Sequence, residues 1–337
     1  MNSKERVFAR ISGKPVDVIP NLNIIMQLAA REMGVAYSKY CKSYELHVKG
    51  NILCAQKYGL DVVTVMSDPM REAHDFGTEV VFPEDDVPYP KQNFLEDIKN
   101  IKNLKPISVD CGERMSDSVH TIELYKKELG DEYPVVGWVE GCFAEASDLR
   151  GVNNFLLDLY EEPEFVRELL DICLEQAKLY AKAQVAAGAD IIGVGDAIAS
   201  VAGPNVYREL AGEYERKLLT AIQEMGAKTK LHICGNIEPF LEQLPVDVID
   251  ILDVDHMVSF DKAMELCGDS VAISGNYDPV AVLLQGTPAV VREAVRDCAH
   301  KGNSRYISSA GCEVPKYTPK ENLLAVHEQL KAEAAEA

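Results

Sequence analysis

Apolar and polar positions along this chain follow two periods that take turns. Over Pro163–Ala187, Val166, Leu169, Leu170, Cys173, Leu174, Ala177, Tyr180 and Ala181 recur at helical spacing. Pro163 opens that run and Gly188 closes it, the asymmetry expected of a helix. The same period predicts helices over Ser3–Ile11, Tyr44–Tyr58, Ser116–Leu129, Asn205–Met225, Ile237–Gln243, Phe260–Cys267, Pro288–His300 and Pro319–Ala334. Short apolar, β-branched runs lie between them. They predict strands over Val16–Ile25, Asp61–Met66, Tyr133–Val139, Asp190–Gly195, Lys228–Ile233, Val246–Leu252, Ser270–Ser274 and Arg305–Ser309. Residues 70–112 break the rhythm. Pro83, Pro88 and Pro90 mark loop, and Phe76–Phe82 reads as a small strand or hairpin arm inside an irregular insertion or lid.

Eight β-then-α units predict an α/β fold of the (β/α)8 TIM barrel type, with residues 1–337 as a single domain. The competing open doubly wound sheet would show a glycine-rich phosphate turn after an early strand, and none is present. A length of 337 residues suits one large barrel. The N-terminus leads into no apolar segment and no run is long enough for a membrane span, so a cytoplasmic protein with no membrane partner is expected. The formal net charge of -20 repels phosphate backbones and argues against nucleic acid as a partner. Nine cysteines without a signal segment read as thiols rather than a disulfide framework. Cys54 and Cys173 fall on apolar helix faces, where cysteine behaves as a small hydrophobe.

In a barrel the chemistry belongs at the C-terminal ends of the strands. Those ends are polar here: Asn21 or Asn23, Asp68, Glu140, Asp196, His232 with Cys234, Asp255 with His256, Asn276 and Cys312. His232, Cys234 and Cys312 supply imidazole and thiolate, the ligands zinc prefers, and three protein ligands leave a catalytic zinc one open position. On an extended segment His-x-Cys would point to opposite faces, and a turn at Gly235 would bring both to one side. Strands five and eight are expected to face each other across the mouth, with the metal over the barrel axis. Two unrelated cysteines and a core histidine explain the spacing equally well, because the gap to Cys312 is long.

Asp196 and His256 are the candidate catalytic acid–base groups, and Asp68 and Asn276 the candidate cofactor contacts. Helix capping or loop solvation accounts for the two aspartates as readily, and a satisfied loop residue for His256. Glu72 and Glu145 are site carboxylates at most, with solvated surface as the default. His47, His120, His300 and His327 fall on predicted helices and read as structural or exposed. Lys316 and Arg305, near the last strand, are the cations available to an anionic substrate.

Three segments carry a resemblance: Leu231-His232-Ile233-Cys234-Gly235-Asn236, Ser274-Gly275-Asn276-Tyr277-Asp278-Pro279, and Ser309-Ala310-Gly311-Cys312-Glu313-Val314-Pro315 with Thr318–Asn322. Together they resemble the uroporphyrinogen decarboxylase superfamily, and within it the corrinoid-dependent branch of the methylcobalamin:coenzyme M methyltransferase type. The resemblance runs the length of the chain. It implies a (β/α)8 barrel with Zn2+ held by His232, Cys234 and Cys312. It also implies methylcobalamin carried by a partner corrinoid protein, and a small-molecule methyl acceptor or donor such as coenzyme M or tetrahydrofolate. The decarboxylase branch uses an arginine-rich N-terminal stretch for porphyrinogen carboxylates, whereas Asn21–Gly34 offers only Arg31. Decarboxylation and a non-catalytic zinc- or corrinoid-protein-binding barrel remain as alternatives.

Overall fold

The computed structural model describes residues 1–336, with side chains to Ala334. Seven parallel strands pair in chain order: β1 (Val63–Thr64), β4 (Val135–Glu140), β5 (Ile191–Gly195), β6 (Lys228–Ile233), β7 (Ile251–Val254), β8 (Ala272–Tyr277) and β9 (Ile307–Ala310). A parallel bridge between Asn21 and Ser308 closes the ring. The Leu22 N–H donates to the Ser308 carbonyl at 2.8 Å, and the Asp61 N–H to the Asn21 carbonyl at 2.8 Å. The result is a distorted (β/α)8-like barrel whose eighth member is this short N-terminal segment.

Why the first expected strand, Val16–Ile25, shrinks to a bridge is local. Pro20 has no N–H to give to a ladder. Asn23 Nδ2 donates to Asn21 Oδ1 at 2.7 Å, so side-chain bonding replaces part of the strand pattern. The sixth strand is displaced from the expected Val246–Leu252 to Ile251–Val254, because Val246–Val248 forms a 3-10 turn. The irregular stretch after β1 contains a short helix, Arg71–Asp75, and an antiparallel hairpin of β2 (Glu79–Val81) with β3 (Tyr89–Gln92). Helices Gln27–Met33, Cys142–Arg150 and Val152–Glu161 lie in stretches where no helix is predicted. No described helix is long and apolar enough to cross a membrane. All nine cysteines are free thiols.

The inward positions follow the two-residue period of the strands. Leu22, Val62, Val136, Ile191, Ile251, Ala272 and Ile307 form an apolar floor, joined by Val7 and Ile11 of the N-terminal helix. Two residues further along, the strands present Thr64, Trp138, Gly193, Lys230, Asp253, Ser274 and Ser309. Two more bring Met66, Glu140, Gly195, His232, Asp255 and Asn276 to the mouth. Interior chemistry thus changes from apolar to ionisable within about 13 Å of strand length. Gly193 and Gly195 are needed for space: a Cβ on either would lie 2.3 Å or 2.7 Å from ring atoms of Trp138, which crosses β5.

Candidate metal centre

His232 is the fifth residue of β6 and faces inward, while Cys234 lies one residue beyond the strand. The turn predicted at Gly235 is present, with φ of +89°, a region that favours glycine. The Gly235 N–H donates to Asp255 Oδ2 at 2.9 Å, which fixes the loop carrying Cys234. Cys312 follows β9. Its neighbour Gly311 donates its N–H to the Tyr277 carbonyl at 2.9 Å. A Cβ on Gly311 would lie 2.1 Å from the His256 nitrogen, so only glycine lets this loop pack against the one after β7.

The three side chains converge. His232 Nε2 lies 3.0 Å from Cys234 Sγ, and Cys234 Sγ lies 4.0 Å from Cys312 Sγ. All three donor atoms fall within 4.8 Å of one another. A tetrahedral zinc with ordinary bond lengths needs edges of about 3.6 Å between nitrogen and sulfur and about 3.8 Å between sulfurs. The donor set and the sulfur–sulfur separation fit zinc, and the His232–Cys234 pair would open by about 0.6 Å to receive it. Behind the histidine, Nδ1 lies 3.1 Å from the Asp253 carbonyl oxygen and 3.4 Å from Asp253 Oδ2. Those acceptors place the ring proton on Nδ1 and turn the Nε2 lone pair to the sulfurs.

Electrostatics favour a deprotonated sulfur. The hydrogen bond from Cys234 and the contact with His232 outweigh burial and hold the Cys312 thiol down to about 4. That same bond to Cys312, with burial, pushes the Cys234 thiol up. For His232, burial works against the charged ring, but Cys312 and Asp253 outweigh it and raise its pKa.

One expectation is corrected. Around the closed ring β6 and β9 stand three steps apart, not four, so the two strands do not face each other across the mouth.

Among the other candidates, Asn276 Nδ2 donates to the Asp255 carbonyl at 3.1 Å and the Val258 carbonyl at 2.7 Å. It braces the loop that carries His256. His256 is about one-third exposed, with Nδ1 2.9 Å from Asp255 Oδ1 and Nε2 3.7 Å from Asp278 Oδ2. Asp196 is fully buried, and its carboxylate accepts the Ala144 N–H at 2.8 Å at the start of the Cys142–Arg150 helix. Burial pushes Asp196 up to about 7. Asp68 is buried in an ion pair with Arg114, 2.6 Å from Nη2. The structure thus joins His232, Cys234 and Cys312 directly and links Asn276 and His256 to them through the Asp255 loop. The side chains of Asp68 and Asp196 belong to networks of their own.

Arg305 lies before β9, at the floor end, and donates to the Ile11 carbonyl, away from the mouth. Lys316 donates to the Asp85 carbonyl at 2.7 Å. His47 is buried with Nε2 2.7 Å from the Thr64 carbonyl, and His300 is exposed beside Glu333 at 3.0 Å. Glu72 and Glu145, for which surface was the default, are both buried. Glu72 Oε1 accepts the Glu140 N–H at 2.9 Å, Glu140 Oε1 accepts the Trp138 Nε1–H at 3.1 Å, and neither oxygen of Glu145 has a partner among the described residues.

Two important neighbours of the centre escaped the sequence reading. Lys230 Nζ sits 2.6 Å from Asp253 Oδ2, the carboxylate behind His232, and both side chains are almost completely buried. The signal was the strand period: Lys230 precedes His232 by two residues and must share its face.

A family model described as uroporphyrinogen decarboxylase (URO-D) matches residues 2–332. The methylcobamide:CoM methyltransferase MtbA of Methanosarcina acetivorans is 28% identical over 326 residues, covering 95% of each chain. The methylcobamide:CoM methyltransferase MtaA of Methanosarcina barkeri is 27% identical over 341 residues, covering 96% of each. Among solved structures, a methyltransferase from Methanosarcina mazei superposes with a TM-score of 0.86 at 23% identity, covering 98% of this chain and 99% of that one.

Proposed function

The chain belongs to the uroporphyrinogen decarboxylase family, and from that premise we propose that it is a zinc-dependent methyltransferase. It would move a methyl group between a methylcobalamin-carrying corrinoid protein and an acceptor, a thiol such as coenzyme M or tetrahydrofolate. Relatives named methylcobamide:CoM methyltransferase align over nearly the whole chain and support methyl transfer at the level of the family. The observation that carries the finer reading is the convergence of His232, Cys234 and Cys312 within 4.8 Å. We take residues 1–337 as one barrel domain.

Three protein ligands leave a tetrahedral ion one position for substrate, and two thiolates with a neutral imidazole balance its charge. Zinc bound by these residues would supply Lewis acidity, lowering the pKa of an acceptor thiol so that its sulfur attacks a methyl group at neutral pH. The chain does the rest. Asp253 holds the His232 tautomer, Asp255 holds the Cys234 loop, and Gly311 sets Cys312 against both. His256, partly exposed between Asp255 and Asp278, is the accessible group for holding or releasing a proton at the rim. Decarboxylation of a polycarboxylate finds less support. Arg31 is the one arginine of Asn21–Gly34, and its guanidinium donates to the Lys316 carbonyl at 3.0 Å and lies over Tyr317.

The test is an anaerobic spectrophotometric assay of methylcobalamin demethylation by the zinc-loaded chain, with thiols and tetrahydrofolate as acceptors. Zinc-dependent formation of cob(I)alamin with at least one acceptor is expected. No turnover with any of them would remove the proposal.

A further inference from the structure

Six of the nine thiols are buried, and Cys111 is exposed in the short turn Val109–Cys111. Cys234 and Cys312 are partly exposed. An oxidant arriving from solvent therefore reaches three sulfurs, and two of these lie 4.0 Å apart. A disulfide bond is about 2.05 Å long, so this pair would have to close by about 2 Å. Both loops are pinned: the Gly235 N–H is bonded to Asp255, and Gly311 packs on His256. The closure is thus left to rotation of the two cysteine side chains about their Cα–Cβ bonds.

The sulfurs placed to hold a metal are the same two that oxidation would join. A disulfide sulfur carries no thiolate charge and is a poor zinc ligand. Coupling Cys234 to Cys312 removes two of the three donors at once and leaves His232 alone. The two loops already stand together in the folded barrel, so the oxidised chain keeps its fold and loses its metal site.

We propose that Cys234 and Cys312 form a redox switch: a peroxide joins them in a disulfide that expels the metal and shuts the centre, and a dithiol reductant reopens it. One thiolate attacks the peroxide O–O bond, becoming a sulfenic acid and releasing hydroxide. The second thiolate attacks that sulfur, forming the S–S bond and releasing a second hydroxide. Two electrons pass from the sulfurs to the peroxide, and two protons from solvent turn the hydroxides into water. The inference rests on the zinc reading of the centre and adds a way of turning it off.

The test treats the zinc-loaded chain, under anaerobic conditions, with about one equivalent of hydrogen peroxide. Released zinc is read with a chromophoric chelator, free thiols are counted in denaturant, and disulfide-linked tryptic peptides are identified by mass spectrometry. The expected result is loss of two of the nine thiols, release of about one zinc per chain and a linked pair of peptides carrying Cys234 and Cys312, with circular dichroism unchanged. Dithiothreitol with added zinc should restore metal content and methyl transfer to within about twofold of their starting values. Cys111→Ser should behave as wild type, and Cys312→Ala should give no internal link. Zinc retained while thiols are lost, zinc released without the Cys234–Cys312 link, or a link that dithiothreitol does not reverse overturns the proposal. A wild-type chain that takes up no zinc overturns the zinc reading beneath it, whereas a zinc-loaded chain that forms no link overturns this inference alone.

Discussion

The Cys312→Ala chain is expected to fold and to lose its zinc. Cys312 lies in a partly exposed loop beyond β9, outside the apolar floor and the main core, so its sulfur contributes little to the barrel itself. To a metal it is one of three ligands. Losing an outer partner of a ligand already costs about 10–100-fold in metal affinity, and losing a ligand outright costs more. On the order of a thousandfold is therefore the minimum expected. It would be read as zinc per chain after dialysis against a chelator, with unfolding by circular dichroism as the control. Methyl transfer should fall in parallel. A Cys312→Ala chain that keeps a full equivalent of zinc would show that Cys312 is not a ligand.

The second large effect is on stability against pH. Burial pushes Glu72 up to about 7 and raises Glu140, Glu145 and Asp148 well above the ordinary carboxylate range. In each case the folded state keeps a proton that the unfolded chain gives up. For Glu72 the resulting stabilisation is fully present below pH 4.5 and is lost as pH rises through about 7. A shift of this size corresponds to about 3 kcal/mol. Zinc binding has a pH dependence of its own, so the informative quantity is the difference between wild type and Glu72→Gln. Urea unfolding at pH 5 and pH 8 should show wild type losing about 2.5 kcal/mol relative to the variant, because the unfolded carboxyl is already mostly ionised at pH 5. A difference that stays constant, or that grows in favour of wild type, would contradict a buried neutral Glu72. Asp68 behaves in the opposite sense. Burial alone would raise it, but Arg114 and Arg71 outweigh that and hold it below the ordinary value, so its contribution is lost only in acid.

Most of the barrel was legible because most of its strands are buried on both faces. Runs such as Ile191–Gly195 and Lys228–Ile233 need apolar, β-branched residues whichever way they face, and the sequence marks them closely. The N-terminal strand was not legible in length. Its pairing is shortened by Pro20 and by the Asn21–Asn23 side-chain bond, and neither is visible as hydropathy. The Cys142–Arg150 helix was hidden because it is buried on nearly every side and so lacks an amphipathic period.

At the candidate centre, His232, Cys234 and the turn at Gly235 could be anticipated from ligand chemistry and one glycine. What could not be anticipated is contributed by other strands. Asp253 stands behind His232 because β7 pairs with β6 in the register His232 to Asp253. The packing of Gly311 on His256 depends on loops far apart in sequence. The expectation that strands five and eight oppose each other failed on ring geometry alone, since opposite strands in an eight-membered ring are four steps apart.

The most direct test of the central claim is metal analysis of the wild-type chain combined with zinc-edge absorption before and after addition of an acceptor thiol. One zinc per chain is expected, bound by two sulfurs and one nitrogen with one further light ligand, and a third sulfur once the thiol is present. A folded wild-type protein that takes up no zinc, or whose zinc shell is four protein ligands and unchanged by any thiol, would contradict it.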